Sequence, residues 1–270
     1  MPELPEVETI ARGLAKRVVD DVIESVWLGS KPEPLKSSAS EIAATLQSKR
    51  ISDVRRLGKH IVVDLAGENG AAGSAQWIVH LGMTGNLLLC PPDAEVAKHT
   101  HAIVGLASGR ELRFVDPRRF GRLSVIQKFE APGAEPLSIS FEDFAVLFRG
   151  RKTPIKSALL NQKLLSGVGN IYADEALFRA GVRPRRRAAS LSREDLRGLH
   201  ASLKRVLKQA IRLGGSSISD YVDANGDEGF FQLKHRVYGR EGKPCLICKI
   251  PIKRVVIAGR SSHYCSKCQK

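Results

Sequence analysis

Four cysteines near the C-terminus constrain the fold more than any other feature: Cys245-x2-Cys248 and Cys265-x2-Cys268, with sixteen residues between the pairs. Two such knuckles at that separation match a four-thiolate tetrahedral zinc site. A segment this short cannot bury enough apolar surface to hold its own shape, so its fold would depend on the metal. Four thiolates fill the coordination sphere and leave no position for water, so the expectation is one structural Zn2+ per chain and no part for zinc in catalysis. No organic cofactor is expected. The fifth cysteine, Cys90, lies in the apolar run LLLC and reads as a buried core residue.

The formal net charge of the 270-residue chain is +15, and it is unevenly placed. Residues 1–130 hold 17 Lys and Arg against 16 Asp and Glu, whereas residues 131–270 hold 26 against 12. A basic surplus confined to one half points to a polyanionic partner, because neutralising phosphates releases counterions. An anionic membrane surface is the rival partner. No apolar run approaches the ~20 residues of a spanning helix. The acidic start lacks the basic n-region of a signal peptide. A soluble intracellular protein is the expectation.

The hydrophobic period changes along the chain. Leu4, Val7, Ile10, Leu14 and Val18 recur at helical spacing. Short β-rich runs follow at 61–65, 77–80, 87–90, 101–106, 111–115 and 122–126, separated by Gly, Asn and Pro punctuation such as GENGAAG and PPDAE. This is the pattern of a sandwich or barrel. APGAEP (131–136) reads as a linker, and beyond it the period is helical. Ser140 with Asp143 and Ser192 with Asp195 resemble capping boxes, the second opening a long helix that Gly214-Gly215 should end. The loop at about 214–229 is long enough to suggest function. A β-run, VVIA, lies between the cysteine pairs.

The start, MPELPEVETI, carries candidate chemistry. Removal of Met1 would leave Pro2 as a secondary amine beside Glu3. An α-amino group titrates at about 7.7–8.0, so near neutral pH a useful fraction holds a free lone pair, as amine nucleophiles require. The bland alternative is that Pro2 merely starts a helix, with Glu6 and Glu8 favourable in its first turn.

MPELPEVE, HLGMTG (80–85), DPRRFGR (116–122), GVGNIYADEAL (167–177), GRSSHYCSKCQ (259–269) and the four cysteines together resemble the bacterial formamidopyrimidine-DNA glycosylases, which remove oxidised purines such as 8-oxoguanine. The likeness runs over essentially the whole chain. Leu4, Met83, Arg118 and Phe120 look like the purine-repair branch rather than the endonuclease VIII branch. The resemblance implies an α+β fold: an N-terminal helix plus β-sandwich catalytic domain (1–130) and a linker (131–136). A helix-two-turn-helix DNA-binding domain (137–235) would follow, with a lesion-recognition loop at about 214–229. A zinc finger (236–270) with a β-hairpin would close the chain.

Chemical roles follow by the same resemblance. Pro2 would be the nucleophile toward the sugar C1′, Glu3 the acid, Lys59 the donor for β-elimination and Arg260 the residue for δ-elimination. Since a guanidinium holds its proton above pH 12, neutralising the departing phosphate is the easier role for Arg260. Met83 and Phe120 would fill the hole left by the flipped nucleotide, and Arg118 would bond the orphaned cytosine. Read alone, Met83 and Phe120 could be core and Arg118 a surface charge. In a strand Arg118 and Phe120 would share a face.

Gly167 and Gly169 precede an apparent helix whose backbone N–H groups could cradle a phosphate. The resemblance makes Asn170 a DNA contact there, with His80, His99, Arg151 and Lys156 as further contacts. Glu6 could orient the amine, relay protons or serve only as a first-turn carboxylate. The resemblance implies damaged double-stranded DNA as the partner, no membrane, and a monomer in a bacterial cytoplasm at the nucleoid. The competing class is a DNA-binding protein without chemistry; the presence of Pro2, Glu3 and Lys59 argues against it.

Overall fold

The computed structural model describes residues 2–66, 75–218 and 221–270. The GENGAAG loop, Met1, Ser219 and Asp220 lie outside the described residues. The chain divides into two units: Met1–Glu130 with Gly214–Phe230, and Ala131–Leu213 with Phe231–Lys270.

In the first unit, helix α1 (Leu4–Val18) turns Leu4, Val7, Ile10, Leu14 and Val18 inward, all fully buried. The proline in its first turn is Pro5, while Pro2 precedes the N-cap Glu3. The reading of Pro2 as a helix starter is therefore corrected. Strand β1 (Ile23–Leu28), helix α2 (Ala39–Leu46) and strand β2 (Ile51–Leu57) come next. Strands β3 (His60–Leu65), β4 (Ala75–His80), β5 (Asn86–Cys90), β6 (Thr100–Leu106), β7 (Glu111–Val115) and β8 (Arg122–Ile126) match the six β-rich runs.

The strands form two antiparallel four-stranded sheets, ordered β1-β6-β7-β5 and β2-β3-β4-β8. One apolar core joins them: Ile61, Val63, Trp77 and Val79 from one sheet, Val104, Leu112 and Phe114 from the other, and the inner face of α1. This is a β-sandwich with a helix packed on its core. Tyr221 and Ala224 of the 214–230 segment belong to the same core. Cys90 is only partly buried and stands outside the fully buried core, which corrects its reading as a core residue.

The second unit is helical until its end, with α3 (Phe141–Phe148), α4 (Ile155–Leu159), α5 (Asn170–Arg179) and α6 (Arg193–Arg212). Ser192 and Asp195 make the full reciprocal capping box of α6. Ser140 instead accepts from Asp143 N and donates to the Asp143 carboxylate. Leu196, Leu199, Leu203, Val206 and Ala210 form the buried stripe of α6, and Gly214 and Gly215 follow at φ 74° and 85°, where an L side chain would be strained.

Helix α5 is buried from Ile171 to Phe178, two carboxylates included. Glu175 Oε1 accepts the backbone N–H groups of Arg236, Val237 and Tyr238 at 2.9, 2.9 and 3.0 Å, and burial holds its carboxyl above the usual range. This fixes the approach to the terminal hairpin, β9 (Lys253–Ile257) and β10 (Arg260–Tyr264).

Candidate functional site

Pro2 and Glu3 lie buried at the start of α1. Their neighbour Glu6, 1% exposed, uses its carboxylate twice: one oxygen accepts Glu3 N at 2.8 Å and the other accepts Ser216 N at 2.8 Å. A single buried carboxyl group thus holds both the backbone at the start of α1 and the first turn of the 214–230 segment. Gly215 permits this, because a Cβ there would stand 2.8 Å from Glu6 Oε1. Of the readings left open for Glu6, the first-turn carboxylate alone is too little. Sequence offered no signal for a partner 210 positions away.

Lys59 occupies the tip of the β2–β3 hairpin, where Leu57 pairs with His60 across Gly58-Lys59 and Gly58 has φ 61°. Tight hairpins place glycine at such a position. Arg56, next to the tip, bonds Glu8 of α1 at 2.6 Å with both side chains largely buried. The hairpin carrying Lys59 is thereby tied to the helix carrying Glu3.

Two turns of this unit pack together. Gly82, at φ 64°, lies so close to the second turn that a Cβ would come within 2.5 Å of Gly121 N. The first turn presents Met83, 40% exposed, and the second presents Phe120, 47% exposed, with the Arg118 guanidinium 4.7 Å from the Phe120 ring centre. The core reading of Met83 and Phe120 is overturned. The segment between β7 and β8 is a turn, with Arg119 at φ 55°, so Arg118 and Phe120 share a face, but on a turn and not on a strand. The fully buried Asp116 organises both turns, accepting Thr84 Oγ1 at 2.6 Å, Gly121 N at 2.7 Å and Arg118 N at 3.2 Å.

His80 faces His60 across β3 and β4, with ring centres 4.8 Å apart. Burial, aided by His60, Lys59 and Arg122, pulls its pKa down to about 4. Its Nδ1 accepts Gly82 N at 3.2 Å, so the neutral ring carries its proton on Nε2. His99 is exposed at the approach to β6.

The remaining nominated residues lie in the second unit. Asn170 opens α5 and donates to Ser261 Oγ at 3.3 Å. Gly167 has φ 103°, but its N–H is taken by Gln162 Oε1 at 2.9 Å, so it serves the turn rather than standing open. Lys156 is fully buried, pairs with Asp174 at 2.7 Å and donates to Ser261 O at 2.6 Å. Its reading as a direct DNA contact is corrected, since a side chain with no exposed surface reaches nothing outside. It holds the hairpin to α5 instead, together with His263 N, which donates to Asp174 Oδ2 at 2.9 Å. Arg260 is exposed beside Ser261, after a turn in which Ala258 and Gly259 both have positive φ, 48° and 74°. Exposed Arg151 donates to Leu147 O.

The sulfurs of Cys245, Cys248, Cys265 and Cys268 lie within 4.8 Å of one another. The Cys245–Cys268 and Cys248–Cys265 separations are 3.9 and 3.3 Å, close to the ~3.8 Å edge of a tetrahedron with Zn–S near 2.3 Å. Cys268 N donates to Cys265 Sγ at 3.4 Å, the backbone-to-sulfur bond expected of a zinc knuckle. The four residues fit one structural Zn2+.

Residues 1–123 match the formamidopyrimidine-DNA glycosylase N-terminal domain, residues 132–222 the H2TH domain of the same proteins, and residues 242–270 the zinc finger found in FPG and IleRS. The formamidopyrimidine-DNA glycosylase of Solibacter usitatus is 46% identical, with 100% of each chain covered. The MutM (Fpg) protein of Thermus thermophilus superposes with a TM-score of 0.87 at 41% identity, covering 99% of this chain and 98% of that one. A variant of the Lactococcus lactis Fpg, crystallised with Fapy-dG-containing DNA, gives a TM-score of 0.91 at 33% identity over 100% of both chains. With helix, sandwich, helical unit and four-cysteine hairpin in this order, the chain belongs to the formamidopyrimidine-DNA glycosylase family.

Proposed function

We propose that this chain excises oxidised purines, formamidopyrimidines and 8-oxoguanine, from duplex DNA and then cuts the strand at the same site. The observation that carries the reading is Glu6, whose carboxylate bonds both Glu3 N and Ser216 N. One group then aligns the nucleophile with the segment that would read an extruded base. Sequence likeness to proteins named for this activity supports it.

The target C1′ is out of reach in a stacked duplex, so the nucleotide must first be flipped out, at a cost of a few kcal/mol. Met83 and Phe120 fill the space left behind, and Arg118 donates to the orphaned base. After removal of Met1, the Pro2 nitrogen attacks C1′ while Glu3 protonates the ring oxygen. The bond from C1′ to the base breaks, the base leaves with the bonding electrons, and loss of the amine proton and ring opening give an iminium. That cation acidifies C2′–H. Loss of this proton with cleavage of the C3′–O bond is β-elimination, with Lys59 supplying the proton. A second elimination breaks C5′–O, with Arg260 neutralising the departing phosphate, and water then frees Pro2.

Asn170, His80, His99 and Arg151 grip phosphates. Lys156 acts by holding Ser261 and Asp174, and so the hairpin. The zinc hairpin presents Arg260. One chain acting on one lesion suits a monomer at the nucleoid. The division into 1–130, 131–136, 137–235 and 236–270 is part of this reading. Single-turnover cleavage of an 8-oxoguanine duplex tests it: Pro2→Gly should lose most excision while binding the duplex, and unchanged turnover would remove the nucleophile.

A further inference from the structure

A cavity of about 440 Å3 opens on the first unit beside the turn that carries Arg118 and Phe120. Its walls include Trp27, Lys31, Lys98, His99, Pro117 and Arg119. Trp27 stands on β1, the edge strand of its sheet, and half of its surface is exposed. Large aromatic rings are normally buried, and an exposed one with cations around it is a common platform for nucleic acid. Lys31, Lys98 and His99 are exposed as well. Of the cations in the wall, Arg119 is bonded to Glu33 at 2.9 Å.

The cavity is rigidly linked to the wedge turn. Asp116 N donates to His99 O at 3.0 Å, and the His101 ring donates to Asp116 O at 3.0 Å, while the Asp116 carboxylate holds Arg118 N and Gly121 N. Pro117 and Arg119 line the cavity, whereas Arg118 and Phe120 stack on each other and do not line it. One turn therefore offers alternate residues to two surfaces.

We propose that this groove binds the sugar–phosphate backbone of the undamaged strand, next to the orphaned base, with Lys31 and Lys98 on phosphates and Trp27 against sugar or base. The inference rests on the reading of Arg118 as the partner of the orphaned base. It adds a binding surface that holds the undamaged strand while its partner nucleotide is out of the helix. Phosphate contacts of this kind fix register without reading sequence.

Both lysines are exposed, so Lys31→Gln with Lys98→Gln leaves the fold intact. Each lost phosphate contact removes about 0.9 from the slope of log affinity against log salt, so the double variant should be shallower by roughly 1.8. The chain has two tryptophans and Trp77 is 1% exposed, so acrylamide quenching reports Trp27. Lesion duplex should protect Trp27, and trimming the undamaged strand to end at the orphaned base should abolish protection from one side only.

An unchanged salt slope, or Trp27 equally quenched with and without duplex, would overturn the proposal. Wild-type excision reports the enzymatic reading separately. A chain that binds but does not excise would defeat that reading, while the salt slope and the quenching would still decide the groove.

Discussion

Asp174→Asn should loosen the terminal hairpin without touching any group proposed for chemistry. Asp174 and Lys156 are both 0% exposed and 2.7 Å apart, and Asp174 also accepts His263 N from the hairpin. Asparagine keeps an oxygen for His263 but removes the carboxylate charge that lies 2.7 Å from the buried Lys156 ammonium. Breaking a buried pair by removing one partner costs about 3–5 kcal/mol. For a unit of this size, each kcal/mol lowers the midpoint by about 3–5 °C, so a drop on the order of 10–20 °C is expected.

The two units can be followed separately on the full chain. Trp27 and Trp77, its two tryptophans, both lie in the first unit, while zinc release captured by a colorimetric chelator follows the second. In Asp174→Asn, zinc should leave about 10–20 °C earlier, with the tryptophan transition moved much less. Weaker binding of lesion duplex should accompany it. Zinc release within about 2 °C of wild type, well under 1 kcal/mol, would refute the view that this pair fastens the hairpin to α5.

Glu6→Gln keeps one acceptor but turns an N–H toward Glu3 N or Ser216 N, and an unsatisfied buried donor costs about 1–3 kcal/mol. The tryptophan transition should fall and single-turnover excision should slow together, with Glu6→Ala worse than Glu6→Gln. Wild-type behaviour in both would remove Glu6 as the link. His80 and His235 have pKa values drawn down to about 4, mainly by burial. The unfolded chain takes up protons near pH 6.5 that the folded chain refuses, so stability should decline as pH falls from 6.5 toward 4. Urea unfolding at pH 7.5 and pH 5 checks this, and His235→Asn should flatten the decline; an identical decline in the variant contradicts it. Cys248→Ser or chelation should unfold residues 242–270 and weaken DNA binding while Trp77 emission stays native. Loss of both units together would count against their independence.

Much of this architecture can be read from periodicity. Residues that repeat at helical spacing in α1 and α6 are the ones that face the cores, and the cysteine spacing gives the hairpin its metal. Strand β2 escapes because Arg55 and Arg56 bond Asp64 and Glu8, so ISDVRRL reads as surface, and β1 escapes because it buries only Ile23 fully and exposes Trp27 beside Glu24 and Ser25. Helix α2 did carry a signal, since Ser38 accepts Glu41 N at its start. Lys156 looks like any basic residue in GRKTPIK, and only tertiary packing turns it inward. Asp116 and Glu6 were legible as motif members but not as hubs. Glu6 reaches Ser216 N and Asp116 reaches Thr84 Oγ1, each in another segment, and no local pattern encodes such partners.

The central claim is that the Pro2 amine bonds to the sugar. Borohydride reduction during turnover of an 8-oxoguanine duplex, followed by proteolysis and mass spectrometry, tests it most directly. The account predicts a covalent complex whose crosslinked peptide begins at Pro2, with the deoxyribose remnant on that nitrogen. A crosslink on Lys59 or another lysine, or no crosslink from protein that binds the lesion, would contradict it.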